Sequence, residues 1–130
     1  IAMLSYENFA GTSEVSKKVG KAVSILHEKF PKMIVDGEIQ PDFAMDAELL
    51  AEYPFSKLGN IPANVFIFPN LESANISYKI IRGLKMAQVV GPILMGLKQP
   101  VHVIQMRASV DEIVNLATIA VLDAQKKENG

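Results

Sequence analysis

The residues best placed for chemistry lie in the stretch "QMRASVDE", residues 105–112. An apolar segment, "PVHVI", precedes this stretch and a long amphipathic pattern follows it, which predicts a loop between a strand and a helix. Arg107 lies just before the predicted helix, where a guanidinium and free backbone amides together can hold a phosphate or a carboxylate. The alternative interpretation of Arg107 is a surface arginine without a ligand.

A second group of polar residues surrounds the start of another predicted helix. Asn70, Ser73 and Asn75 either offer an anion site at that helix N-terminus or only cap the helix, and both interpretations stay open. Lys79, one turn further on, either adds positive charge or is solvated. Ser5 ends the first predicted strand, at the sheet edge where α/β proteins bind ligands.

The remaining acidic residues and the histidines give weaker indications. Asp36 and Glu38 flank a glycine and could act as acid and base or bind a cation, but we interpret them as a turn aspartate and a solvated glutamate. His27 and His102 are far apart in the sequence, and no partner stands at metal-binding spacing. We therefore predict no metal site, a surface role for His27 and a structural role for His102, with a catalytic base as its alternative.

Composition excludes several classes of protein. The chain has 130 residues, of which 49% are hydrophobic, enough for one modest domain with a core. Its net charge of −1 argues against nucleic acid or an anionic membrane as a partner. The absence of cysteine excludes disulfides and fits a cytoplasmic location. No membrane span or signal peptide is recognisable, and the abrupt strand-like start without Met suggests a fragment of a longer chain.

Strand and helix patterns alternate along the chain, which predicts an α/β fold with a largely parallel sheet flanked by helices. The predicted strands cover residues 1–5, 32–35, 64–68, 87–97 and 100–104, and the predicted helices cover residues 13–30, 41–52, 71–84 and 109–124. Ser109 and Glu112 match a capping box at the start of the last helix. That helix carries two apolar stripes, so we expect one face to meet another subunit or a missing part of the protein.

Five ordered blocks carry a family resemblance: "MLSY", "VDGEIQPDFAMD", "NVFIFPNLESANISYKI", "VGPILMGLKQPV" and "ASVDEIVNLATIAVLDAQ". They resemble the C-terminal part of the phosphate acetyltransferase (phosphotransacetylase) family. Within that family, the blocks resemble the phosphotransacetylase-like C-terminal domain of bacterial NADP-dependent malic enzymes. The resemblance implies a two-domain, dimeric α/β fold of the isocitrate/isopropylmalate dehydrogenase-like type. Residues 1–130 would then be a C-terminal fragment, with a second-domain core at 1–100 and a terminal strand and helix at 101–130.

The resemblance also bears on the loop before the last helix. Active members of the family carry Ser-Arg-Gly-Cys-Ser there, followed by an Asp in the first helical turn. Aligned on "SVDEIVN", the catalytic positions are Gln105, Met106 and Glu112 in this chain. A thioether cannot stabilise negative charge on phosphate or on an oxyanion, and Arg107 is shifted by one residue. The resemblance therefore implies a degenerate catalytic centre.

The function implied is acetyl-CoA-responsive regulation and oligomerisation of a malic enzyme, without acetyl transfer. Small-molecule ligand candidates are Ser5, Asn70, Asn75, Lys79, Arg107 and Ser109. No cofactor is expected in this fragment, and NADP and a divalent metal would belong to the missing N-terminal catalytic domain. Two alternatives remain: an active phosphate acetyltransferase, with Arg107 in place of the missing arginine, and a purely structural dimerisation module.

Overall fold

The computed structural model describes residues 1–85 and 87–128. The chain forms two compact units, Ile1–Lys79 and Ile80–Gly130. The elements in chain order are β1 (Ala2–Leu4), α1 (Glu14–Lys29), β2 (Asp36–Ile39), α2 (Pro41–Met45), α3 (Ala47–Leu50), β3 (Phe66–Ile67), α4 (Leu71–Leu84) and α5 (Val110–Glu128).

The first unit is built on a parallel three-stranded sheet in the order β2-β1-β3. Ala2 on the central strand pairs with Asp36 on one side and with Phe66 on the other. Leu4 and Ile39 are buried in the core between the sheet and the following helices. The α/β prediction with a parallel sheet flanked by helices is confirmed, whereas the dehydrogenase-like label stays a prediction.

Helix α1 forms where the apolar spacing predicted it. The side chain of Ser13 accepts a hydrogen bond from Ser16 N at 3.1 Å and so caps the helix. Val19 and Val23 bury one face of α1, which contacts β1 and β2. The helix ends before Pro31, which cannot continue the backbone hydrogen-bond pattern.

Two local assignments differ from the prediction. The segment Asp36–Ile39, expected to interrupt a strand, is itself β2, because pairing with β1 overrides the turn preference of Asp-Gly. The single helix predicted for residues 41–52 is two short helices, α2 and α3. Asp46 separates them because its side chain accepts hydrogen bonds from Glu48 N and Leu49 N and starts a new helix.

The two further strands predicted in the second unit are wrong. The described part of residues 87–109 contains no strand, including the terminal strand expected at 100–104. Gly91 and Gly96 have φ of +137° and +85°, which turn the chain out of an extended course. Pro92 and Pro100 also lack the amide proton that a sheet ladder needs. The apolar residues of these two runs are largely exposed in the structure and belong to no strand.

Helix α5 begins with the predicted capping box. Ser109 N donates to Glu112 Oε2 at 2.8 Å, and Glu112 N donates to Ser109 Oγ at 3.2 Å. Leu116 belongs to one of the two apolar stripes of α5 and is 5% exposed. Val114 belongs to the other stripe and is 56% exposed. Among the described residues, none of the helices combines the length and apolar character needed to cross a bilayer.

Candidate functional site

A cavity of about 360 Å³ opens at the carboxyl ends of β1 and β3 in the first unit. We call it the sheet-edge cavity. Its lining residues are Leu4, Ser5, Tyr6, Val15, Pro41, Phe68, Pro69, Asn70, Ser73 and Ser77. In parallel sheets this edge is the usual position of a ligand, because loops and helix N-termini meet there. Apolar walls and a few hydroxyl and amide groups make the cavity suitable for a mainly uncharged ligand segment.

The N-terminus of α4 contributes polar groups to this cavity. Asn70 Oδ1 accepts a hydrogen bond from Ser73 N at 2.8 Å, and Ser73 Oγ donates to Asn70 O at 3.1 Å. Both residues therefore cap the helix while also lining the cavity. Asn75 and Lys79 are exposed and are not among the lining residues. The Lys18 ammonium, which the sequence did not single out, donates to the carbonyl oxygen of Pro69.

Ser5 belongs to a hydrogen-bonded chain behind the cavity wall. Its hydroxyl oxygen is 2.7 Å from that of Ser16, and Ser16 Oγ donates to Glu7 Oε2 at 2.5 Å. The hydrogen bond from the Ser16 side chain, followed by those of Ser13 and Thr12, lowers the pKa of Glu7 from 4.5 to about 2. The Glu7 carboxylate is therefore ionised at neutral pH.

The carboxylates of β2 anchor loops and do not form an acid–base pair. Glu38 is 5% exposed, so the expected solvated glutamate is wrong, and its Oε1 accepts from Gly11 N at 2.7 Å. Asp36 Oδ2 accepts from Lys57 N at 2.7 Å, and Asp36 Oδ1 lies 3.9 Å from His27 Nε2. The bonds that Glu38 and Asp36 accept from the Gly11 and Lys57 amides fix the loops around the sheet.

A second cavity, of about 570 Å³, lies at the start of α5 in the second unit. We call it the α5 cavity. Its lining residues are Arg82, Lys85, Ala87, Gln88, Val89, Arg107, Ser109, Asp111, Glu112 and Asn115. Three of these side chains are basic and two are acidic. The basic groups and the helix N-terminus suit an anion, although the carboxylates offset part of that charge.

Glu112 is held from two directions. Arg82 Nη2 donates to Glu112 Oε1 at 2.5 Å, while Ser109 N donates to Glu112 Oε2 at 2.8 Å. The Ser109 amide and then the Arg82 charge lower the pKa of Glu112. Both carboxylate oxygens are therefore engaged within the protein.

The other residues of the predicted catalytic loop are placed differently. Gln105 and Met106 are exposed, Met106 completely so, and neither lines the α5 cavity. Arg107 and Ser109 do line it. The structure thus brings Arg107, Ser109 and Glu112 together and leaves the positions of the family serine and arginine outside.

The sequence missed Arg82, Lys85, Glu7 and Ser16. Arg82 and Lys85 lie at the end of α4 and just after it, where basic residues are common for reasons of helix electrostatics alone. Glu7 lies in a loop with no periodic pattern. Only their spatial neighbours distinguish these residues from ordinary surface side chains.

Potential metal ligands do not cluster in the part of the chain that the structure describes. Residues 1–85 and 87–128 contain no group of three or more histidine, cysteine, aspartate or glutamate residues that could hold an ion. Both ring nitrogens of His102 are buried, and neither has a hydrogen-bond partner within these ranges. The hydrogen-bonded structural histidine that we expected is therefore not seen.

The chain matches the family model described as phosphate acetyl/butaryl transferase over residues 1–121. It belongs to that family. The resemblance of the five sequence blocks is thereby confirmed for nearly the whole chain.

Relatives with similar sequences include phosphate acetyltransferases and NADP-dependent malic enzymes. A phosphate acetyltransferase from Acetivibrio thermocellus is 38% identical over 96% of this chain and 38% of its own length. An NADP-dependent malic enzyme from Escherichia coli is 40% identical over 96% of this chain and 17% of its own length. A solved phosphotransacetylase from Streptococcus pyogenes superimposes with a TM-score of 0.85 at 38% identity, over 96% of this chain and 38% of that one. The chain therefore spans well under half of each relative.

Proposed function

We propose that this chain is the phosphotransacetylase-like domain of an NADP-dependent malic enzyme, and that it binds acetyl-CoA without transferring the acetyl group. The supporting observation is the loop before α5. Where the family resemblance puts a catalytic serine and arginine, this chain has Gln105 and a fully exposed Met106. A malic enzyme is 40% identical to this chain and a phosphate acetyltransferase is 43% identical, so the loop and not the overall identity supports the choice of parent protein.

The chemistry of acetyl transfer explains why this loop matters. Attack on an acyl carbonyl or on acetyl phosphate concentrates negative charge on oxygen, which a positioned cation or amide must stabilise. Met106 has no such group. Glu112 is equally constrained, because its two oxygens already accept from Arg82 and Ser109. These bonds lower the pKa of the Glu112 carboxyl, which makes it a weaker general base.

Ligand binding does not require that catalytic centre. The sheet-edge cavity keeps Ser5 and Asn70, together with apolar walls that suit the uncharged part of acetyl-CoA. Regulation of malate oxidation would follow if acetyl-CoA bound two states of the full-length protein unequally. NADP and a divalent metal would be held by the malic-enzyme part of the protein.

Calorimetric titration of the full-length protein with acetyl-CoA, together with malate turnover, tests this proposal. We expect saturable binding, a changed rate of malate oxidation and no formation of acetyl phosphate from acetyl-CoA and phosphate. Absence of both binding and rate change would overturn the regulatory proposal. Rapid formation of acetyl phosphate would overturn the claim of a silent centre.

The second candidate is an active phosphate acetyltransferase. The α5 cavity favours it, because Arg82, Lys85 and Arg107 place positive charge beside Ser109 at the start of a long helix. In this alternative Arg107 replaces the missing arginine at the reacting phosphate.

A coupled assay of acetyl-phosphate formation, with Arg107→Ala and the control Lys98→Ala, decides this second candidate. Lys98 is exposed and lies outside the α5 cavity. If the candidate is correct, Arg107→Ala lowers the rate by about a hundredfold, as expected for a group that stabilises transition-state charge, and Lys98→Ala does not. Equal rates for both variants would exclude this role for Arg107.

Oligomerisation is a further proposal. Val110, Val114 and Val121 on α5 leave a large apolar surface exposed in the second unit. We propose that a second copy of the protein covers part of this surface, as the family resemblance implies. A domain that only held subunits together would show the same surface but would bind no acetyl-CoA.

A further inference from the structure

Glu7, Ser16 and Ser5 form a continuous hydrogen-bonded chain that ends in the wall of the sheet-edge cavity. Ser16 is fully buried, Ser5 is 5% exposed, and Ser5 lines the cavity. The successive oxygen–oxygen distances are 2.5 Å from Ser16 to Glu7 and 2.7 Å from Ser5 to Ser16. Oxygen–oxygen distances this short indicate well-formed hydrogen bonds.

The direction of the hydrogen bonds follows from proton counting. An ionised carboxylate only accepts, so the single hydroxyl proton of Ser16 lies on the bond to Glu7. The bond between the two serines must then use the proton of Ser5. Ser5 consequently has no proton left for a ligand and can offer only lone pairs.

The surrounding loop holds this chain in place. Glu7 also accepts from Thr12 N at 3.2 Å and from Ser13 N at 3.4 Å, so its carboxylate cannot turn away without losing main-chain bonds. Gly11 packs against the pair: a Cβ there would lie 2.5 Å from Ser16 Cβ and 2.7 Å from Glu7 Oε2. The Gly11 amide is itself fixed by the buried Glu38 carboxylate. Only a residue without a side chain allows this close approach.

We propose that Glu7, acting through Ser16, is a positioning residue that presents Ser5 to the sheet-edge cavity as a hydrogen-bond acceptor. The cavity then selects the hydrogen-bond-donating part of its ligand and disfavours an oxyanion beside Ser5. This inference rests on the proposed binding of acetyl-CoA. It assigns to this cavity the amide N–H groups of the pantetheine arm, since they are the donors in that ligand that suit apolar walls.

The test compares pantetheine, which carries these donors without phosphate, with inorganic phosphate as ligands of the full-length protein. In Ser16→Ala the Ser5 proton loses its acceptor and becomes free to point at a ligand. We expect pantetheine to bind about fivefold more weakly and phosphate to bind no more weakly, because a neutral hydrogen bond is lost for pantetheine alone. Ser24 lies on the same helix and its hydroxyl donates to the carbonyl oxygen of Gly20, so the control Ser24→Ala should change neither affinity.

Substitution of Glu7 gives an independent readout. Glu7→Gln keeps one oxygen that can accept from Ser16, so it should retain pantetheine affinity within about twofold, whereas Glu7→Leu should lose about as much as Ser16→Ala. Unchanged pantetheine affinity in folded Ser16→Ala and Glu7→Leu would overturn the inference and leave the proposed function intact. If the wild-type protein binds neither pantetheine nor acetyl-CoA, both are overturned.

Discussion

At the scale of single residues, two glutamates show how main-chain amides determine the behaviour of a carboxylate. Glu7 accepts from Thr12 and Ser13 amides as well as from the Ser16 hydroxyl, and Glu112 accepts from the Ser109 amide and from Arg82. In both, bonds to the charged form lower the pKa. The Glu7 carboxylate bonds to Ser16 behind the sheet-edge cavity, and the Glu112 carboxylate accepts from Arg82 and Ser109 at the start of α5.

The pKa of Glu7 leads to a prediction about acid stability. Because folding lowers this pKa from 4.5 to about 2, the carboxylate stabilises the folded state above pH 4.5, and that stabilisation is lost as the pH falls towards 2. The unfolding free energy of Glu7→Gln should therefore decrease less than that of the wild type between pH 4.5 and pH 2. Urea titrations at several pH values in this range measure the unfolding free energy of both proteins.

Glu14→Gln is the matched control, because Glu14 is solvent-exposed and its ion pair with Lys17 spans 3.7 Å. Its pH dependence should follow that of the wild type. A Glu7→Gln profile parallel to the wild type over the same pH range would contradict the assigned hydrogen bonds.

At the scale of elements, glycine positions distinguish a strand that needs glycine from a helix that does not. Gly37 in β2 has φ of +144°, and a Cβ there would collide with the carbonyl oxygen of Met3 on β1. Gly83 in α4 has nothing within 4 Å of its would-be Cβ. The same substitution should therefore have opposite effects at the two sites.

We expect Gly37→Ala to lower the unfolding free energy by about 2 kcal/mol or more, because backbone strain and steric overlap act together. Gly83→Ala should raise it by about 0.5 to 1 kcal/mol through higher helix propensity. Chemical denaturation of both variants beside the wild type provides the measurement. A stable Gly37→Ala would mean that β2 does not lie against β1 as described.

At the scale of the whole molecule, the apolar surface of the second unit is the main unexplained feature. Val114 and Val121 on α5 are 56% and 55% exposed, although their helical spacing is typical of a buried face. A surface of this kind is unfavourable in water unless another protein surface covers it.

If a second copy covers α5, the full-length protein sediments as a dimer, and the double variant Val114→Ser/Val121→Ser weakens dimerisation by at least about tenfold, since buried apolar contacts are lost. Ile25→Ser is the control, because Ile25 is a half-exposed apolar residue on α1 in the first unit. Sedimentation velocity over a concentration series distinguishes the outcomes. A monomeric wild type, or an unaffected double variant, would contradict coverage of α5 by a second copy.

The sequence by itself determined the features that depend on local spacing. The helices α1, α4 and α5, the Ser109–Glu112 capping box and the parallel α/β class follow from periodicity and capping within a few residues. Five sequence blocks in the same order as in the family were enough to indicate it, and the match over residues 1–121 confirms the family.

Only the tertiary structure decided which distant residues meet. Arg82 and Glu112 are 30 residues apart and Ser5 and Ser16 are 11 apart, so no helical or strand period connects either pair. It also decided that the apolar runs after residue 86 form no strand, since a strand depends on a partner as well as on its own side chains. Local patterns report which faces are apolar, whereas pairing, burial and the direction of a hydrogen bond depend on what the folded chain places beside them.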